Sequence, residues 1–451
     1  MTASPEPPAP GSARNARSGK PRFSPLEYRD PAPAPWLIKL MTTINRRLIL
    51  GGLMKLRGFD LPDSDLARLK LAVNPATAAF LGPAHPEFLT DWMVDKEVSA
   101  RVSPLMAHWA SYEIVNASST VRAFWLANNL IANVPGGGGK AYSVAWARQG
   151  HGVLLHPEGT ATWQGERVSP LLPGIVDMAW AAAEAGIAAR DARQVWLVPL
   201  VWRLRFVRDA RAGLAREITR IERGLALPVS RGDLPERFGA LMGKLLVRQC
   251  DKLGLASPEP LLARGAAHYF AAQQAVLDQL QSTLAARYGP LDADVTRAQF
   301  QIRKAMRERG RTDPDGVKLD RARLFELQRL TGLDPRLYDR AELAQERIAE
   351  ILKRTRSSLL TQGIRNTLAN TVPIAVGPRV AHVRVAEPIA VRPVVEGCPA
   401  GGADAARAAL LAEHARRLQG CLDRLGTEWA GSAGNPAVPN PLCSGQYTDV
   451  H

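Results

Sequence analysis

The sequence predicts an α/β fold, a mixed sheet flanked by helices, carrying a large all-helical insertion. Three observations predict it. Short apolar runs alternate with helical stretches between residues 66 and 205, long periodic segments rich in Arg, Ala and Leu fill 206 to 370, and a strand-like pattern returns at Val380–Val391. Alternation of the first kind builds a sheet with helices packed on it, because each element has to bury an apolar face against another layer.

The elements follow in order. Residues 1–34 are rich in Pro, Ala, Ser and Arg and have no periodicity, which predicts a disordered segment. In 35–60, Leu37, Leu40, Met41, Ile44, Leu48 and Leu53 recur at helical spacing behind Trp36. Lys39, Arg46, Arg47, Lys55 and Arg57 lie among them with no acid from 36 to 57, so this reads as a basic amphipathic helix lying in a membrane interface. The core, 61–205, has candidate strands at Thr77–Phe80, Gly152–Leu155 and Trp196–Val201. The first two each lead into a turn that contains a histidine, and functional groups in open α/β sheets gather where strands end. Residues 206–370 form the helical insertion, with periodic runs at Leu261–Tyr288, Val295–Arg309 and Ala341–Leu360. Strands of the core return in 371–395, a C-terminal helix occupies 396–432, and 433–451 is a flexible tail.

A formal net charge of +15 over 451 residues implies a polyanionic partner: nucleic acid, an anionic membrane surface, or an acidic cofactor. The arginines are scattered through helical segments rather than interleaved with aromatics, and no zinc-finger spacing occurs, so nucleic acid is not expected. Cys250, Cys398, Cys421 and Cys443 are too far apart for a metal or redox motif and fit a reducing compartment. With no signal peptide and no apolar run of about 18 residues, membrane contact is expected to be peripheral, on a cytoplasmic protein.

Two segments carry chemistry. In Thr77-Ala78-Ala79-Phe80-Leu81-Gly82-Pro83-Ala84-His85-Pro86, a histidine follows an apolar strand, and Asp91 stands at the start of the next helix. Imidazole titrates in the range a general base needs, and a carboxylate beside it fixes its tautomer. Six positions do not share one face of a regular helix, so the pairing calls for a bend at Pro86. A strand-end histidine beside an ordinary helix-start aspartate is the plain structural alternative. The second segment, His156-Pro157-Glu158-Gly159-Thr160, ends another strand. Gly159 permits close backbone approach, while Glu158 and Thr160 offer an acceptor and a donor. A rival histidine, His108, has Glu113 five positions on, but it sits in a helix-like run, Val98–Val115, where packing is the expected role. His151 reads as an edge residue and Lys96 as part of a solvated face.

Together these segments resemble the glycerolipid and lysophospholipid acyltransferases of the 1-acylglycerol-3-phosphate acyltransferase type. That family has a His-x4-Asp motif after one strand and a Pro-Glu-Gly-Thr motif after another some seventy residues on. Val195-Trp196-Leu197-Val198-Pro199-Leu200 resembles its next block, with an echo at Val385–Ile389. The resemblance implies that His85 is the general base, Asp91 its orienting partner, and Glu158, Gly159 and Thr160 the acceptor-binding residues, with no metal and no cofactor. It implies an acyl-CoA or acyl carrier protein donor, a lysolipid acceptor and an anionic membrane surface as partners. The His–Asp interval is one residue longer than the family's, Ala161 replaces a common Arg, and the block Leu130-Ile131-Ala132-Asn133 lacks another. Those arginines usually face an acceptor's phosphate, with Lys140 or Arg148 as candidate substitutes. An amino-acid lysolipid or glycolipid acceptor, and a non-catalytic lipid-binding role, stay open.

Overall fold

The computed structural model describes residues 23–86, 90–159, 161–162, 165–291, 301–303, 305–306, 308–310, 312–360, 375–430 and 435–446. Helix α1 (Pro35–Ile44) continues as a π-helical stretch, Asn45–Leu53, and then turns into strand β1 (Leu56–Asp60). There follow α2 (Asp63–Ala72), β2 (Thr77–Pro83), α3 (Thr90–Val102), β3 (Ala107–Ser111), α4 (Tyr112–Val115), α5 (Ser119–Ala127) and β4 (Leu130–Asn133). Helix α6 (Gly139–Ala147), β5 (Val153–Leu154), α7 (Gly174–Ala188) and the long β6 (Gln194–Phe206) complete this half.

Helices α8 (Arg211–Gly224), α9 (Leu234–Leu253), α10 (Glu259–Leu262), α11 (Tyr269–Tyr288), α12 (Pro314–Thr331), α13 (Pro335–Tyr338) and α14 (Gln345–Leu359) make the helical body, interrupted by the short strand β7 (Glu342–Leu343). The chain then adds β8 (Arg379–Val385), β9 (Ile389–Ala390), α15 (Arg392–Glu396), α16 (Ala403–Ala430) and β10 (Val438–Pro439).

Eight strands form one mixed sheet in the order β1-β8-β6-β2-β5-β3-β4, with β9 beside β8 on the same edge of β6. From β6 through β2, β5 and β3 to β4 every pairing is parallel, while β8 and β9 run antiparallel to β6. Both faces of β2 are covered. Ala79 and Leu81 share one core with Val94 and Val98 of α3, and Ala78 and Phe80 share another with Ile175 and Ala179 of α7, which is why this strand reads as a continuous apolar run. The helical body has a core of its own, built around Leu214, Phe238, Leu241, Leu280, Leu330 and Leu352.

Several expectations change. Residues 107–111 are a strand, not part of a helix from Val98 to Val115, because this segment pairs with β4 and β5 and buries Ala107 and His108. The expected interfacial helix gives up its end to β1, which pairs in parallel with β8. The expected flexible tail is anchored within 435–446: β10 pairs with β7, and Asn440 donates to the carbonyls of Tyr338 and Arg340 at 2.7 and 2.8 Å. The helical insertion therefore includes one strand. The helical run expected at Val295–Arg309 lies largely outside the described residues, and the end of the expected insertion, 361–370, lies wholly outside them.

Candidate active site at the ends of two parallel strands

Strands β2 and β5 lie side by side with Leu81 opposite Leu154, so that Pro83 and His156, two residues further on, also lie together. His156 Nδ1 faces the Pro83 carbonyl at 3.3 Å. His85 follows directly, beyond the end of β2. Gly82 is required here because a Cβ would stand 2.3 Å from Nε2 of His414, which donates to the Gly82 carbonyl at 2.9 Å and thereby clamps α16 over the strand end. Burial pushes the His414 ring down to about 4, which keeps it neutral.

The predicted pair forms. His85 Nε2 contacts Asp91 Oδ2, and both side chains are largely buried. Asp91 sits in the first turn of α3, where an anion is favoured by the helix dipole. The pairing joins a loop to a helix start, so the helical-face objection to the spacing does not arise. Burial opposes the charge on Asp91, but His85, His156 and the Trp92 N–H at 2.7 Å outweigh it and hold the carboxyl below its ordinary value.

Glu158 is buried, with its oxygens accepting from the backbone N–H groups of His85 at 2.6 Å and Ser169 at 2.8 Å. Expected from sequence to help bind the acceptor, its carboxylate here accepts from two backbone donors and braces the His85 loop. Burial pushes its carboxyl up, against these two donors. Gly159 adopts φ +71°, and a Cβ there would stand 2.6 Å from Leu172 Cδ1, so both the left-handed turn and the space demand glycine. Thr160 lies outside the described residues. Thr162 closes the loop, donating from its N–H to the His85 carbonyl at 2.9 Å.

A second pair escapes the sequence reading. His156 Nε2 lies 2.9 Å from Asp95 Oδ2 and 3.9 Å from Asp91 Oδ2, and its ring stacks on His85 with centroids 4.2 Å apart and planes inclined by 21°. Asp91 and Asp95 stand four apart, which places them on one helical face; that spacing was the available signal. Burial opposes protonation of His156, yet Asp95, Asp91 and Glu158 raise it to about 9. Asp95 is itself raised by burial, so the two groups titrate as a pair.

His85, Asp91 and His156 each offer a ligand atom within 4.8 Å of the others. The rings are stacked, however, so their in-plane lone pairs run side by side. No point about 2 Å from both nitrogens lies in both ring planes, as zinc ligation requires. The cluster suits two histidine–carboxylate pairs better than one ion.

The other sequence candidates fall elsewhere. His108 is buried behind α3, in contact through Nε2 with Ser99 Oγ at 2.9 Å, and desolvation pushes it down to about 3. Lys96 is buried instead of solvated, and burial pushes it down to about 8. Lys140 pairs with Asp177 at 3.0 Å and Arg148 with Asp191 at 3.4 Å, so the two proposed phosphate substitutes are engaged away from the site. The helical body reaches the site through α14, where Lys353 donates to Thr90 Oγ1 at 2.6 Å, beside Asp91. Compared with models of known protein families and with curated proteins, the chain matches none.

Proposed function

We propose that this protein is an O-acyltransferase that moves a fatty acyl group from a thioester donor, acyl-CoA or acyl carrier protein, to the hydroxyl of a lysolipid. The observation that carries the reading is the His85–Asp91 contact, with the His85 backbone pinned by the buried Glu158 at the shared ends of β2 and β5. The acyltransferase-like core resembled by the sequence orders the same residues along the chain.

Neither ring nitrogen of His85 makes a hydrogen bond among the described residues, and with Nε2 against the Asp91 carboxylate the proton is assigned to Nε2 and the lone pair to Nδ1. Nδ1 takes the acceptor's hydroxyl proton as the oxygen attacks the thioester carbonyl. The tetrahedral intermediate then expels the thiolate, which recovers a proton from the imidazolium, leaving an ester and a free thiol. Asp91 stabilises the imidazolium between these steps.

Two features support an anionic, membrane-borne substrate. Lys55, Arg57, Arg208 and Arg216 line an open cavity of about 600 Å³, and none has an ion-pair partner among the described residues. Trp36, Leu40 and Leu48 on α1 and its extension are 70%, 48% and 59% exposed. Among the described residues no helix is long and apolar enough to cross a membrane.

The test is transfer of labelled acyl groups from acyl-CoA or acyl carrier protein to a panel of phosphate, amino-acid and glycolipid acceptors. Wild-type protein is expected to form ester, and His85→Ala to lower the rate by about 10²–10⁴-fold with the fold intact. Binding without turnover on every acceptor would replace the reading with a lipid-binding role.

A further inference from the structure

Two histidine–aspartate pairs lie against each other at the same strand ends, whereas acyl transfer with one base needs only one. We propose that His156, paired with Asp95, is a positioning residue that keeps a positive charge stacked against His85 and so leaves His85 free to accept a proton at neutral pH. The proposal rests on the acyl-transfer reading of this site.

Their polar neighbours distinguish the two rings. His156 Nδ1 faces the Pro83 carbonyl at 3.3 Å, and Nε2 faces the Asp95 carboxylate at 2.9 Å. Both neighbours offer oxygens, an arrangement that suits a ring protonated on both nitrogens. His85 has a carboxylate against one nitrogen alone, Asp91 at Nε2, and neither of its ring nitrogens makes a hydrogen bond among the described residues. One proton satisfies that ring.

A buried histidine beside an ionised aspartate ordinarily gains a proton, and an imidazolium cannot act as a base. What opposes that gain at His85 is the second ring, 4.2 Å away, whose Nε2 also lies 3.9 Å from Asp91 Oδ2. The charge on Asp91 is thereby shared between two rings, and a second positive charge on His85 would be stacked on the first. The groups facing His156 are Asp91 and Asp95, with Lys96 further along α3, His85 from the loop after β2, His108 from β3, and Glu158 from its own turn. Asp95 is completely buried, so its charge and that of His156 depend on each other.

The sequence places the pair economically. Asp95 follows Asp91 by one helical turn, and His156 enters on the strand adjacent to β2. A single helix face thus addresses both rings.

The experiment is the pH dependence of kcat/KM between about pH 5 and pH 9 for the full chain and for His156→Phe, which keeps an aromatic ring and removes the charge. The double variant His156→Phe with Asp95→Leu removes the pair together, so no buried carboxylate is left unpaired if the single variant fails to fold. Loss of the charge is expected to move the acid limb to higher pH by about one unit, with the alkaline plateau within about threefold of wild type. In parallel, ring-labelled histidine NMR is expected to find both nitrogens of His156 protonated near neutral pH. An unmoved acid limb overturns the proposal, as does activity lowered by the same factor at every pH. So does a neutral His156 ring. Absence of transfer by the wild-type chain overturns the acyl-transfer reading itself, and the NMR measurement separates that failure from a wrong assignment of charge.

Discussion

Two regions reverse the ordinary arrangement of apolar groups inside and charges outside. At the ends of β2 and β5, the side chains of Asp91, Asp95, Glu158, His85 and His156 are withdrawn from water. On α1 and its extension, Trp36, Leu40 and Leu48 are turned towards it. The costs differ in kind. A buried charge is tolerable only when paired and hydrogen-bonded, so the first region has tightly specified geometry. Exposed apolar side chains need only a surface to cover them, so the second can be specified loosely. The regions are physically joined: Asn45 Nδ2 donates to the Met93 carbonyl at 2.8 Å, and Arg46 pairs with Glu97 at 3.0 Å, which fixes the helix to α3.

Changing one atom in the first region sharpens this contrast most. Asp91→Asn replaces a carboxylate by an amide of nearly the same shape and removes the charge that stabilises the His85 imidazolium. Transfer is expected to fall by about 10²–10⁴-fold. The same assay on His108→Gln is expected to find at most a small loss, since His108 bonds to Ser99 behind α3. A larger loss from His108→Gln than from Asp91→Asn would move the reacting centre to the wrong ring.

The two motifs were legible because each compresses its information into a few residues at a strand end. His85, Asp91, Glu158 and Gly159 are all brought to one place by the register of β2 against β5. What the sequence concealed depends on distant parts of the chain. The role of Glu158 is decided by Ser169, eleven residues on, and Gly82 is decided by His414, which arrives on the last long helix. β1 and β3 were hidden because each looks like the end or middle of a helical pattern. Pairing with β8, β4 and β5 overrides that local preference.

The turn that carries Glu158 allows a test on stability alone. Gly159→Ala puts a Cβ on a residue at φ +71° and against Leu172, and is expected to cost about 1–3 kcal/mol in denaturant unfolding. Gly401 is also at positive φ (+78°), but an added Cβ there would meet nothing within 4 Å, so its alanine variant is expected to cost less. Equal costs would mean that contact with Leu172 adds nothing.

The buried histidines give opposite pH dependences. His156 is raised to about 9, so the stability it contributes is complete below the free imidazole value of 6.5 and is lost as pH rises through about 9. His108 and His414 are lowered to about 3 and 4, so their contribution is complete above 6.5 and is lost as pH falls towards those values. Unfolding free energy is therefore expected to decline on both sides of neutrality. His414→Gln should flatten the acid side without changing the alkaline side, as denaturant titrations at acid, neutral and alkaline pH will report.

The second region offers the smallest effect on the fold and the clearest separation of fold from membrane attachment. Cutting the chain near Phe59 would remove half of β1 and, with it, Leu50 and Met54, which pack in the sheet's core. Substitution at the exposed positions is cleaner. Trp36, Leu40 and Leu48 face outward while Ile38 and Leu50 face inward, so Trp36→Ser, Leu40→Ser and Leu48→Ser together leave the packed face untouched. Exposed substitutions of this kind change stability by about 0.5 kcal/mol or less each. Their effect at a lipid surface should be far larger, because each side chain contributes up to about 1.5–3 kcal/mol when fully buried. Lys39 and Arg47, both exposed, add about 1 kcal/mol each at an anionic surface. Flotation with vesicles containing anionic lipid is expected to recover the wild-type chain at low salt and much less of the triple variant. High salt should weaken both by removing the charge contribution while leaving the apolar one. If the triple variant floats as well as wild type, the apolar face is not the attachment surface, and the cations around Lys55 and Arg208 become the region to change next.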